Sequence, residues 1–153
     1  MKLSTKGRYG LRAMIDMARY SEKEPVSINH VAARQGISEG YLEQIVSLLK
    51  KEGLVKSIRG AGGGYVLAKK ADEISVGDIL RALEGSLEPV RCAAYYSEDG
   101  CTASDGCVTK YVWQKINDSI NRTVDEISLE ELVKESRTLN PEGKSADAKC
   151  GGQ

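Results

Sequence analysis

The 153-residue chain has no apolar run near the roughly twenty residues that a membrane-spanning helix needs. Its opening, MKLSTKGRYG, lacks the apolar segment of a secretory signal. Both absences make a cytoplasmic protein without a membrane partner the expectation. Histidine occurs once, at His30, and no nucleophile–base pair is visible, so the chain reads as a non-enzyme. The close C-x2-4-C pairs of structural zinc sites are missing, and no internal repeat is visible. Net charge is also missing, because 22 basic residues balance 22 acidic ones.

That balance hides an asymmetry. Residues 1–70 carry 13 Lys/Arg against 6 Asp/Glu, a local charge of +7, and residues 71–153 carry 9 against 16, a local charge of −7. A basic N-terminal half suits a phosphate backbone and an acidic C-terminal half does not.

Apolar Leu11, Met14, Ile15, Met17 and Ala18 recur at helical spacing over Thr5 to Tyr20, with Ser4 or Thr5 as cap. Ser27 opens a second, short helix through Val31, Ala32 and Ala33, which Gly36 closes. Ser38 then caps a third helix over about Glu39 to Lys51, with Leu42, Ile45, Val46, Leu48 and Leu49 inward. Two helices around a tight glycine-bearing turn form a helix-turn-helix. Leu54 to Ile58 and Tyr65 to Ala68, separated by the flexible RGAGGG, form a β-hairpin.

Ser75 caps a further short helix through Leu83, ended by Gly85. Periodicity is lost over Ser86 to Gly106. It returns from Cys107 to Ile127 as a seam of Val108, Tyr111, Val112, Ile116, Ile120, Val124 and Ile127. Such a seam on a helix tethered to a small domain points to dimerisation, with packing on its own domain as the alternative. Ser128 caps a short terminal helix, and a polar tail follows.

The fold expected is therefore mainly α: a winged helix-turn-helix of three helices plus a β-hairpin wing, followed by a long C-terminal dimerisation helix. Its divisions are a DNA-binding domain over 1–85, a cysteine-bearing loop over 86–106, the dimerisation and terminal helices over 107–137, and a disordered tail over 138–153.

In a helix-turn-helix the start of the second helix reaches base edges in the major groove. Here those positions are Ser38, Glu39, Gly40, Tyr41, Glu43 and Gln44. Glu43 can accept from cytosine N4 and Gln44 can pair with adenine, though Glu43 could equally face solvent or pair with Arg34. Lys2, Lys6, Arg8, Lys50, Lys51 and Lys56 are candidate phosphate contacts. Arg59 lies at the wing tip, where arginine can enter the minor groove, and Gly60 beside it lets backbone approach DNA.

Cys92-x8-Cys101-x5-Cys107 supplies three thiols within sixteen residues. Thiolates select zinc, copper(I) or iron–sulfur clusters, and wide spacing with Gly100 and Gly106 before two of the cysteines fits a loop around a cluster. A fourth ligand is not assigned. Cys150, His30, an oxygen ligand such as Glu98, Asp99 or Asp105, or a residue of the first helix all stay open.

The segments KLSTKGRYGLRAM, RQGISEGYLEQIVSLLKKEGLV, SIRGAGGGYVL and ISVGDILRALEG closely resemble the bacterial winged-helix regulators of the IscR, NsrR and CymR family, from Met1 to about Val133. The resemblance implies a homodimer crossed at the long helix on a palindromic promoter site in double-stranded DNA. It implies a [2Fe–2S] cluster held by Cys92, Cys101 and Cys107, and repression of cluster-assembly genes when clusters are plentiful. It carries the recognition roles to Glu43 and Gln44 and the wing contact to Arg59. NsrR-like members hold a [4Fe–4S] cluster and sense nitric oxide; CymR-like members govern cysteine metabolism through thiols or a partner protein. Two departures stand out. The first inter-cysteine gap is longer than in IscR-like members, and the histidine they carry three residues after the last cysteine is Lys110 here.

Overall fold

The computed structural model describes residues 3–91 and 106–143. Lys2, Cys92, Cys101, Cys150 and the candidate oxygen ligands Glu98, Asp99 and Asp105 lie outside them. The described elements run α1 (Thr5–Tyr20), α2 (Ile28–Gln35), α3 (Glu39–Lys51), β1 (Val55–Ile58), β2 (Gly64–Leu67), a 3-10 turn (Ala71–Glu73), α4 (Val76–Glu84), α5 (Val108–Glu126) and α6 (Leu129–Leu139).

Serine hydroxyls set most of the helix starts. Ser4, Ser27, Ser38, Ser75 and Ser128 each accept from the backbone N–H three residues on, satisfying one of the donors a first turn leaves orphaned. Ser75 and Asp78 make the reciprocal pair of a capping box. At the other end of α2, Gly36 adopts φ 64° and ψ 36°, a left-handed conformation that costs glycine little and turns the chain directly into Ile37 and α3.

The core is aliphatic and sits where α1, α3 and α4 meet. Met14, Met17, Leu42, Ile45, Leu49, Ile74 and Ile79 are fully buried. One charged group goes in with them. The Asp16 side chain is 3 % exposed, and Arg34 grips both of its oxygens at 2.7–3.2 Å while Gln35 donates at 2.9 Å. The hydrogen bonds to Asp16 hold the Arg34 guanidinium above its usual pKa despite burial. A charge taken from water in this way must be paired, and this one is tied by α2 to α1 at the root of the turn.

The wing is a two-stranded antiparallel ribbon with Val55 opposite Leu67 and Ile58 opposite Gly64. Its root is fastened to the body, because Val26 and Tyr65 exchange backbone hydrogen bonds at 3.0 and 2.7 Å. A Cβ on Gly64 would strike the Val26 carbonyl, so this close approach requires glycine.

Several expectations are adjusted. Leu48 is half-buried rather than buried. Arg34 pairs with Asp16, not with Glu43, which is exposed. The terminal helix runs on to Leu139, past the boundary expected at 137, because Arg19 of α1 donates to carbonyls of Ser136, Asn140 and Pro141 and holds that end against the body. The remainder of the expected tail, 144–153, lies outside the described residues.

The seam of α5 divides. Ile120, Val124 and Ile127 pack with Val76, Leu80 and Leu87. At the opposite end Val108, Tyr111 and Val112 are 81 %, 62 % and 46 % exposed. A polar brace reinforces the packed end: Arg81 of α4 donates to both oxygens of Asp125 and to Asn121, which in turn donates to Asn117. Gly77 lets the two helices approach closely, since a Cβ there would collide with Asp125 and Arg81. No described helix is long and apolar enough to cross a membrane.

Candidate nucleic-acid interface

The outer face of α3 presents Gly40, Glu43, Gln44 and Ser47 to solvent, and with Leu48 they line one shallow hollow. Their spacing of three and four places them on a single stripe opposite the buried Leu42, Ile45 and Leu49. The helix is thus gripped on one side and offers short polar groups on the other, as a helix entering a groove must. Ser38 is exposed but its hydroxyl accepts from the Tyr41 N–H, so it shapes the helix start. Ser47 and Leu48 were missed as members of this surface, although the same three-and-four spacing from Glu43 and Gln44 leads to them.

Tyr41 sits differently from its neighbours. It is half-buried, and its ring meets Tyr9 of α1 edge to face, with centroids 6.2 Å apart and planes at 88°. Arg12 stacks over the other ring, 5.4 Å from the Tyr9 centroid. This contact fixes the first turn of α3 against α1.

The hairpin carries Arg59 and Gly60 exposed at its tip. Lys50 at the end of α3 donates to the Ser57 hydroxyl on β1 at 3.0 Å, tying α3 to the wing. Lys51 and Lys56 are exposed beside it. On the first turns of α1, Arg8 is exposed and Lys6 half-buried. The Ser4 N–H and hydroxyl both donate to Glu84 of α4, at 3.0 and 2.5 Å, which anchors the start of α1.

Of the three loop cysteines the described residues include Cys107. It is the residue immediately before α5, fully exposed, with its sulfur 3.0 Å from the Thr109 hydroxyl. The Thr109 hydroxyl foremost, then the backbone N–H groups of Lys110 and Thr109, hold the thiol below its usual pKa. A thiolate stabilised by donors and open to solvent fits the donor chemistry of a metal or cluster ligand. Lys110 is half-buried, and His30 is exposed on α2. Among the described residues no group of three or more His, Cys, Asp or Glu is placed to hold a metal ion.

Three helices, a glycine turn, a polar recognition face and a basic hairpin wing define a DNA-binding transcription regulator of the winged-helix class. Comparison with known proteins agrees and narrows the class. Residues 3–135 match the family model of Rrf2, an iron-dependent transcriptional regulator. The HTH-type transcriptional regulator IscR of Photorhabdus laumondii is 42 % identical over 149 residues, covering 97 % of this chain and 89 % of that one. The protein of the same name from Escherichia coli is 42 % identical over 144 residues, or 94 % and 87 % of the two chains. Among solved structures, T. potens IscR superposes with a TM-score of 0.73 at 45 % identity, covering 92 % of this chain and 91 % of that one. CymR, the global cysteine regulator of B. subtilis, superposes equally well, 0.73 at 44 % identity over 88 % and 98 %. The chain belongs to the Rrf2 family. It is a regulator of transcription and not an enzyme.

Proposed function

We propose that this chain is a homodimeric regulator, mainly a repressor, of iron–sulfur cluster biogenesis genes, reading a palindromic promoter operator under the control of a bound [2Fe–2S] cluster. The observation that carries the proposal is the position of Cys107. It opens the very helix whose far end is bonded through Asp125 and Asn121 to α4 of the DNA-reading body.

Cys92, Cys101 and Cys107 would hold the cluster. When bound, it supplies a redox-active, loss-prone group whose presence reports iron and sulfide supply. The chain's own residues do the rest. Thr109 and the backbone around it stabilise the Cys107 thiolate, and Arg81 fixes α5 against α4. Glu84 of α4 fixes the start of α1 through Ser4. Gly40, Glu43, Gln44 and Ser47 face base edges. Arg59 and Gly60 serve the wing contact, and Lys2, Lys6 and Arg8 the phosphates. Pairing of two copies through the exposed Val108, Tyr111 and Val112 face would set two recognition helices one helical turn of DNA apart.

The likeness to CymR supports a second reading, in which the same reader is governed by thiol chemistry or a partner protein. Anaerobic purification separates the two. An absorption and EPR spectrum of a [2Fe–2S] centre, with two irons and two sulfides per chain as that cluster requires, supports the first reading. A colourless protein that still binds its promoter overturns it in favour of the second.

A further inference from the structure

Behind the helix-turn-helix, on the side of α1 that carries Arg12 and Arg19, a cavity of about 280 Å³ opens between α1, α2 and the end of α6. Three guanidinium groups line it, Arg12, Arg19 and Arg34, against the single carboxylate of Asp16. Asp16 is already gripped by Arg34 and Gln35. Arg12 donates to the Gln35 side-chain and backbone oxygens at 3.1 and 3.3 Å, and Arg19 to the last carbonyls of α6. Neither is paired with a carboxylate among the described residues. The helix-terminal carbonyls around Arg19 offset part of its charge, and the cavity stays positive. Its remaining walls combine polar Gln35, Ser136 and Asn140 with apolar and aromatic side chains. Ile15 and Leu139 flank it, and the Tyr20 ring lies under Arg34 at 4.2 Å and near Arg19 at 5.4 Å.

We propose that this cavity is a binding site for a small organic carboxylate, held by Arg12 and Arg19 with its carbon body against Ile15 and Leu139. A carboxylate bonds a guanidinium more strongly than do the neutral oxygens of Gln35, Ser136, Asn140 and Pro141 that Arg12 and Arg19 now hold, and Ile15 and Leu139 favour a carbon skeleton over inorganic phosphate. The site is placed to be felt at the operator face. Arg12 touches Gln35, the last residue before the Gly36 turn, and stacks on Tyr9, whose ring braces Tyr41 in the first turn of α3. A ligand that draws Arg12 away therefore loosens or re-aims that brace.

The test is an NMR titration of the full chain with succinate, against sodium chloride and sodium phosphate at matched ionic strength. Succinate at millimolar concentration is expected to shift signals of Arg12, Gln35 and Asn140, and with them the ring protons of Tyr9 and Tyr41. Leu139 is exposed at the rim, so Leu139→Glu places a repelling charge at the mouth without disturbing the core. It should weaken succinate binding roughly tenfold. Shifts equal to those from chloride or phosphate, or binding unchanged in Leu139→Glu, would overturn the site. Pocket shifts with still Tyr9 and Tyr41 rings would overturn its link to α3. None of these readouts needs operator DNA, so failure of the regulatory reading and failure of this one are distinguishable.

Discussion

α3 and α5 carry the same kind of apolar stripe, yet the chain treats them oppositely. In α3 the stripe is covered: Leu42, Ile45, Val46 and Leu49 are buried within the domain, and the outer face is short and polar. In α5 the buried residue is Asn117, a polar group in the Arg81 brace, and the first two turns leave valine and tyrosine in water. An amphipathic helix must cover its apolar face with something. α3 finds that cover in its own chain. α5 finds it at one end and, among the described residues, lacks it at the other, where Cys107 stands.

The contrast can be broken from either side. Ile45→Ala opens a hole in the covered stripe and should cost about 2–5 kcal/mol of folding stability, read as a lower midpoint in urea. Val112→Asp should leave folding almost unchanged and instead abolish self-association, a loss of about 2–4 kcal/mol of dimer affinity measured by sedimentation equilibrium. A dimer of undiminished strength would mean that the exposed turns of α5 are not the interface. On the outer face of α3, Gln44→Ala should cost about 1–3 kcal/mol of operator affinity with no change in unfolding midpoint. Arg81→Met cuts a half-exposed brace, so its cost to stability should stay near 1 kcal/mol or below by urea titration. The smallest effect concerns chemistry alone. Thr109→Val removes the main donor to Cys107, so the pH at which this thiol becomes readily alkylated by iodoacetamide should rise, the native thiol reacting at lower pH than a free cysteine.

Local signals were the legible ones. Serine caps, the Gly36 turn and the glycine-rich hairpin are written in two to four adjacent residues, and the elements follow them closely. The seam of α5 was legible as a period, but its division was not, because which turns are covered depends on where α4 lies. The extent of α6 was hidden for the same reason. Its end is held by Arg19, about 117 positions earlier in the chain. The exposed stripe of α3 was legible at Gly40, Glu43 and Gln44 from the motif. Tyr41 shares that turn, yet its bracing by Tyr9 depends on a helix thirty residues away. Asp16 gave no warning at all: a lone acid in an apolar stripe reads as a solvated charge until Arg34 is seen to reach it.

The wing joins the body at Val26, Tyr65 and the Lys50–Ser57 bond, so the freedom of the hairpin is confined to the few residues of its tip. An arginine on a loose arm would forfeit the disorder of the whole arm on meeting DNA, at about 1–2 kcal/mol for every backbone residue it immobilised. Arg59 travels on a short leash instead. If α3 lands on DNA as proposed, the local concentration of that guanidinium at the neighbouring groove would be set by a tip a few residues long. In the proposed complex its contact would come as an intramolecular afterthought rather than a second search.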